Sequence, residues 1–259
     1  MGVHTVQTIG QLTIDHQPIT KSQRPLVAAL AVSRREGATV EMLAEAIWPD
    51  SPPRSARQSV QNQIGRLRRS FGGGLVLTSA DRYRLGWTTD VDSIDRVAPL
   101  CDRTELTAAE AARIAEVLAG WNGEPYADLP DHHGAQAERA RLHLVQARLV
   151  EALAMHHLTA PVGDPHVAIV DLTVRTSTEP LHERAWELLV TALHLVGRRT
   201  EALVTYSRFA EVLDRQLGAA PSRRFQQLRS IVEADRPLDP ASVAARDGIA
   251  ELVQLRATA

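Results

Sequence analysis

The sequence predicts a mainly α protein, with a small α+β domain at the N-terminus and an all-α helical-repeat domain behind it. Three observations carry this. Short β-branched segments bracket three amphipathic helical stretches within residues 1–91. From Thr107 onward the pattern is helical, with no strand-like run. Trp186, Gly197, Ala202 and Tyr206 then fall at the spacing that locks two antiparallel helices into a tetratricopeptide-like pair. The expected boundaries are 1–91, 92–235 and a tail, 236–259, in which Ile249, Leu252, Val253 and Leu255 suggest one more helix.

Val6–Ile14, interrupted by Gly10, reads as strand; Asp15–Pro18 as a turn, with Ile19 and Thr20 after it completing a small antiparallel sheet. Pro25 suits a helix start, Leu26, Ala29, Leu30 and Ser33 keep helical spacing, and Gly37 stops the run. Thr39 is placed to cap a second helix with Val40, Leu43, Ala44 and Ile47 on its apolar stripe. Trp48 closes it, and the prolines of Pro49–Pro53 forbid continuation.

A third helix is expected from Ser55 to Phe71, burying Val60, Ile64, Leu67 and Phe71 and ending at Gly72-Gly73-Gly74. Leu75–Leu77 and Tyr83–Leu85 follow as two strands around a polar tip, Thr78–Arg82. Sheet, three helices and hairpin is the element order of a winged helix-turn-helix.

The second half reads as Ala108–Gly120, a break at Trp121–Pro130, and a long helix from Glu138 to His157 carrying Leu142, Val145, Leu149 and Leu153. A second break at Pro161–Pro165 precedes helices around Val167–Thr176 and Leu181–Val196. Helices at similar spacing on either side of the Trp186 pair make a superhelical array the natural reading.

Charge is unevenly spread. Residues 1–100 hold 12 basic and 9 acidic side chains, whereas the whole chain holds 29 and 31. Between Arg54 and Arg84, seven arginines face one acid, Asp81, which is an electrostatic footprint for a polyanion. Lys21 is the only lysine, and a GC-rich genome explains that bias, so placement rather than arginine content is the evidence.

The third helix concentrates polar groups opposite its apolar stripe: Ser55, Gln58, Asn62, Gly65, Arg66 and Arg69. Gln58, Asn62 and Arg66 are the candidates for base edges in a major groove, since Asn and Gln suit adenine and Arg suits guanine. Arg54, Arg57, Arg69, Arg82 and Arg84 are the candidates for phosphates, which fix register without reading sequence. Arg68 lies nearer the buried side.

Other chemistry is sparse. No P-loop, Rossmann fingerprint or nucleophile elbow is present, and no enzyme, cofactor or catalytic residue is expected. His132-His133 and His156-His157 are adjacent pairs whose members point about 100° apart on a helix, so they read as surface histidines and no metal is expected. The single cysteine, Cys101, excludes an internal disulfide. With no apolar run near the ~18–20 residues of a membrane span and no signal-like N-terminus, a soluble cytoplasmic chain is expected.

Pro52–Arg57, Val60-Gln61-Asn62, Ile64–Arg69 and Tyr83-Arg84-Leu85 resemble the DNA-binding half of the Streptomyces antibiotic regulatory protein family, whose winged helix is of the OmpR type. Val40–Trp48 is similar to the family's second helix, and Asp92–Val97 to its hinge. Trp121–Pro125, Glu138–Leu142, Pro180–Trp186 and Leu217–Ser222 resemble its bacterial transcriptional activation domain. The sequence departs from the family at Arg82, where glycine is usual, and at Gln63, where tyrosine or histidine is common.

The resemblance implies a transcriptional activator, two protomers of which bind promoter direct repeats about one helical turn apart. It implies recruitment of RNA polymerase, sigma factor included, through the loop Pro49, Asp50, Ser51, Pro52 and Pro53 and the helical domain, with a secondary-metabolite gene cluster as target. Two other readings stand beside it: a protein-interaction adaptor using the helical array as a peptide groove, and a ligand-responsive regulator.

Overall fold

The computed structural model describes residues 4–239, so the expected tail helix lies outside the described residues. Among the described residues two compact units emerge, one drawn from 4–98 with Glu116–Gln146, the other from Pro99–Ala115 with 147–239.

The first unit opens with β1 (Thr5–Gln7), β2 (Thr13–Ile14) and β3 (Gln17–Pro18), an antiparallel meander. The turn is tighter than the sequence suggests. Asp15 and His16, at φ 48° and 62°, make it alone, and Gln17-Pro18 rather than Ile19-Thr20 form the strand. Pro18 is tolerated because β3 is an edge strand.

Helix α1 (Arg24–Val32) has proline in its first turn and buries Leu26 through Ala31. Gly37, at φ 75°, leads into β4 (Ala38–Thr39), a strand the sequence reading missed. Thr39 caps α2 (Val40–Ile47) as expected, its hydroxyl accepting from the Met42 amide, and Trp48 ends the helix.

Helix α3 (Ala56–Phe71) buries Val60, Ile64 and Leu67, while Phe71 is half-buried. Ser55 precedes it without a side-chain cap. The hairpin strands β5 (Val76–Ser79) and β6 (Arg82–Leu85) reach further than predicted and leave a two-residue turn, Ala80-Asp81, with Ala80 at φ 52°. β4 pairs with β6, so the wing is a three-stranded sheet in the order β4-β6-β5. A further short strand, β7 (Thr88–Thr89), lies parallel to β1 and feeds α4 (Asp90–Val97) through a capping box between Thr89 and Asp92. Leu26, Leu30, Leu43, Val60, Ile64, Leu67, Leu75 and Leu85 supply the core of a winged helix.

A later segment, Glu116–Gln146, completes this unit: the end of helix α5 (Ala108–Ala119), an irregular strap, and the first half of α6 (His133–Thr159). The strap lies along the segment just after β1: Gly10 donates to the Glu124 carbonyl at 3.1 Å and Tyr126 to that of Thr8 at 2.8 Å. Gly10 must be glycine, because a Cβ there would sit 2.5 Å from the Asn122 carbonyl oxygen. Arg139 of α6 holds the strap through the carbonyls of Pro125 and Tyr126 at 3.0 and 3.1 Å.

The second unit is built on α7 (Pro165–Thr178), α8 (Glu183–Leu195), α9 (Arg199–Leu217) and α10 (Arg223–Glu233). Trp186 packs on Phe209 with ring centroids 5.6 Å apart, and Phe225 meets Phe209 at 5.5 Å and Tyr206 at 4.8 Å. The Trp186 indole also donates to the Pro180 carbonyl. Gly197, at φ 76°, turns α8 into α9 where the buried Ala202 lets the helices meet. Trp186, Gly197, Ala202 and Tyr206 are the residues that the repeat pattern singled out, whereas Phe209 and Phe225 join them only in the fold.

The histidine doublets are not all surface residues. His156 is buried and bonds the Leu106 carbonyl at 3.1 Å, while His132 accepts from the Ala135 amide at the start of α6. Among the described residues no group of three or more His, Cys, Asp or Glu is placed to hold a metal ion, and no helix is long and apolar enough to cross a membrane.

Candidate nucleic-acid interface

Burying Val60, Ile64 and Leu67 against the core turns the opposite face of α3 to solvent. Gln58, Asn62, Arg66 and Arg69 all lie exposed on it. The Gln58 amide donates to Asn62 Oδ1 at 3.3 Å, which keeps two of the three base-edge candidates side by side. Arg66 continues the row one turn on and, among the described residues, pairs with no carboxylate.

Gly65 lies in the same face, and a Cβ there would meet only Arg69 Nη1 at 3.6 Å, ordinary contact. Nothing in the fold therefore needs glycine at this point. Gly65→Ala is expected to stabilise α3 by about 0.5–1 kcal/mol while weakening any partner whose backbone approaches there. Melting and DNA titration of the same variant check this, and unchanged binding would remove Gly65 from the contact face.

The phosphate candidates differ in their commitments. Arg54, Arg69 and Arg84 are exposed and, among the described residues, form no ion pair. Arg57 lies 3.7 Å from Glu41, an exposed and loose pairing. Arg82 donates from Nη1 to the Gly37 carbonyl at 2.9 Å, fastening the hairpin to the turn before β4. This is what arginine in place of the family's usual glycine does locally. In the hairpin register Leu77 faces Arg84 and Ser79 faces Arg82, so both arginines share the face opposite the buried Val76 and Leu85.

Arg68 was left without a role by the sequence. Its Nε donates to the Val76 carbonyl at 2.9 Å and its Nη2 to Thr78 Oγ1 at 2.7 Å. No sequence pattern ties a helical arginine to a strand eight and ten residues later. Gln63 is half-buried, and its Oε1 is enclosed without a hydrogen-bond partner among the described residues. The loop Pro49, Asp50, Ser51, Pro52 and Pro53 is exposed throughout, away from the core that α2 and α3 share.

The chain matches the bacterial transcriptional activator domain over residues 92–232. It is 32% identical to the regulatory protein AfsR of Streptomyces coelicolor over 86% of its own length, but spans only 23% of AfsR. It is 28% identical to the regulatory protein DnrI of Streptomyces peucetius, covering 90% of this chain and 94% of DnrI. The solved structure of Mycobacterium tuberculosis EmbR with a low-affinity phosphopeptide matches 98% of this chain and 71% of that one, at a TM-score of 0.74 and 24% identity.

Proposed function

This chain belongs to the Streptomyces antibiotic regulatory protein family of transcriptional regulators, and we propose that it activates transcription by reading promoter DNA with α3 and the hairpin. The observation that carries the reading is the exposed row Gln58, Asn62 and Arg66, flanked by Arg54, Arg69 and Arg84 that no carboxylate among the described residues neutralises. A groove-inserting helix needs polar ends facing bases and cations facing the backbone on either side.

In this mechanism α3 enters the major groove. Gln58 and Asn62 recognise adenine edges and Arg66 a guanine. Arg54, Arg57, Arg69, Arg82 and Arg84 hold phosphates, with Arg82 giving only the donors its Gly37 bond leaves over. Two protomers bind direct repeats about one helical turn apart. The exposed Pro49–Pro53 loop and the helical domain recruit RNA polymerase, the sigma factor among the contacts, at a promoter of a secondary-metabolite cluster.

Paired alanine variants test the division of labour. Arg66→Ala is expected to cost about 1–3 kcal/mol on cognate DNA and to relax discrimination at one or two base pairs. Arg84→Ala is expected to weaken cognate and scrambled DNA alike and to lower the salt slope by about one. Equal losses on both DNAs for Arg66→Ala would make it a phosphate contact instead. An unchanged slope for Arg84→Ala would take the wing out of the mechanism.

A further inference from the structure

We propose that Arg68 is a positioning residue of the DNA-reading surface, holding the β5–β6 hairpin at a fixed distance and angle from α3 so that both engage one duplex. The inference rests on the DNA-reading function proposed above. Arg68 sits in the most arginine-rich stretch of the chain, beside Arg69, and its charge alone would suggest another phosphate contact. Its guanidinium is committed elsewhere.

Two nitrogens of one planar group reach two points on β5, the Val76 carbonyl at 2.9 Å and Thr78 Oγ1 at 2.7 Å. A planar fork with two partners fixes orientation as well as distance, which a lysine's single ammonium does not. β5 is the outer strand of its sheet, so no neighbouring strand holds that edge. Thr78 faces the same side as Val76, and the alternation turns Leu77 and its partner Arg84 the other way. Locking Thr78 to α3 therefore sets where Arg84 points. On the far side Arg82 ties β6 to Gly37, so the hairpin is held from both edges.

The test compares the wild-type chain with Thr78→Val, which removes one acceptor and leaves every charge in place, and with Arg68→Lys, which keeps the charge but loses the fork. Each is titrated with direct-repeat promoter DNA across salt concentrations, and amide hydrogen exchange is followed in β5 and β6. A positioning role predicts that both variants stay folded, exchange faster in the hairpin, bind roughly tenfold more weakly at most and lose about one unit of salt slope. Wild-type affinity and slope in Thr78→Val, with full rescue by Arg68→Lys, would overturn it and make Arg68 a plain phosphate contact. A wild-type chain with no salt-dependent DNA affinity would refute the proposed function, a result separate from the variants. Hairpin exchange would then decide the clamp alone, and unchanged exchange in Arg68→Lys would overturn it.

Discussion

Arg34→Ala is expected to destabilise the first unit by about 2–3 kcal/mol, the cost of losing a largely buried guanidinium's charged hydrogen bonds to three half-buried carboxylates. The Arg34 side chain is only 8% exposed, and its three nitrogens reach Asp92 at 3.2 Å, Asp95 at 2.6 Å and Glu138 at 3.0 Å. Arg141 adds bonds to Asp95 and Glu138, and Arg35 one to Asp95. One cation in the turn after α1 thus ties that turn to α4 and to the start of α6. Adding Asp95→Asn to Arg34→Ala is expected to cost less than the two single losses summed, because Arg34 and Asp95 share one contact; a double-mutant cycle in urea reads this directly. Additive losses would show that the two residues do not interact.

The same cluster sets an acid limit. Burial pushes the Asp95 and Glu138 carboxyls up, but hydrogen bonds and charge from Arg34 and Arg141 outweigh it and hold both below the ordinary carboxylate range. A depressed carboxylate contributes stability that is present above its unfolded value, about pH 4, and lost as pH falls through the folded one. The difference between wild type and Arg34→Ala should therefore narrow below about pH 4. A gap that stays constant down to acid pH would contradict the assignment.

Asp90→Ala is expected to cost a further large amount, about 3–5 kcal/mol, for a different reason. Its carboxylate accepts from the Thr8 amide at 2.8 Å, the Ile9 amide at 2.9 Å and the Thr8 hydroxyl at 2.7 Å. Thr8 and Ile9 are buried, so the variant leaves their donors with neither protein nor bulk water. Burial nevertheless raises the Asp90 carboxyl above its ordinary range, more than these bonds lower it. That sign opposes the Arg34 cluster: the contribution linked to Asp90 titration is fullest below the unfolded value and fades as pH rises through the folded one. Asp90→Asn keeps one acceptor and should lose less. Urea denaturation with exchange at Thr8 and Ile9 checks both variants, and an alanine variant within 1 kcal/mol of wild type would sink the account.

What the sequence revealed and what it hid divide along physical lines. The stripe Val60, Ile64 and Leu67 has helical period, so α3 and its solvent face were legible from apolar spacing alone. Thr39 carries its own capping chemistry and marked the start of α2. The two-residue strands β4 and β7 had no period to show; they exist because β6 and β1 lie alongside them. The Arg34 cluster joins residues up to 104 positions apart, and Asp90 reaches back 82, so neither leaves a local signature. Arg82 and Arg68 illustrate the limit within the candidate site. Composition marked both as cations near a polyanion, whereas only geometry finds the carbonyls of Gly37 and Val76 that each one holds.

The most direct test of the central claim is a salt titration of binding to labelled promoter DNA carrying direct repeats, run against scrambled competitor. The account predicts a steep fall of affinity with salt and a preference for the repeats that survives it, as expected of phosphate contacts that position and base contacts that specify. Weak, salt-insensitive binding to every DNA tried would contradict it, and the exposed face of α3 would then be a surface for protein partners.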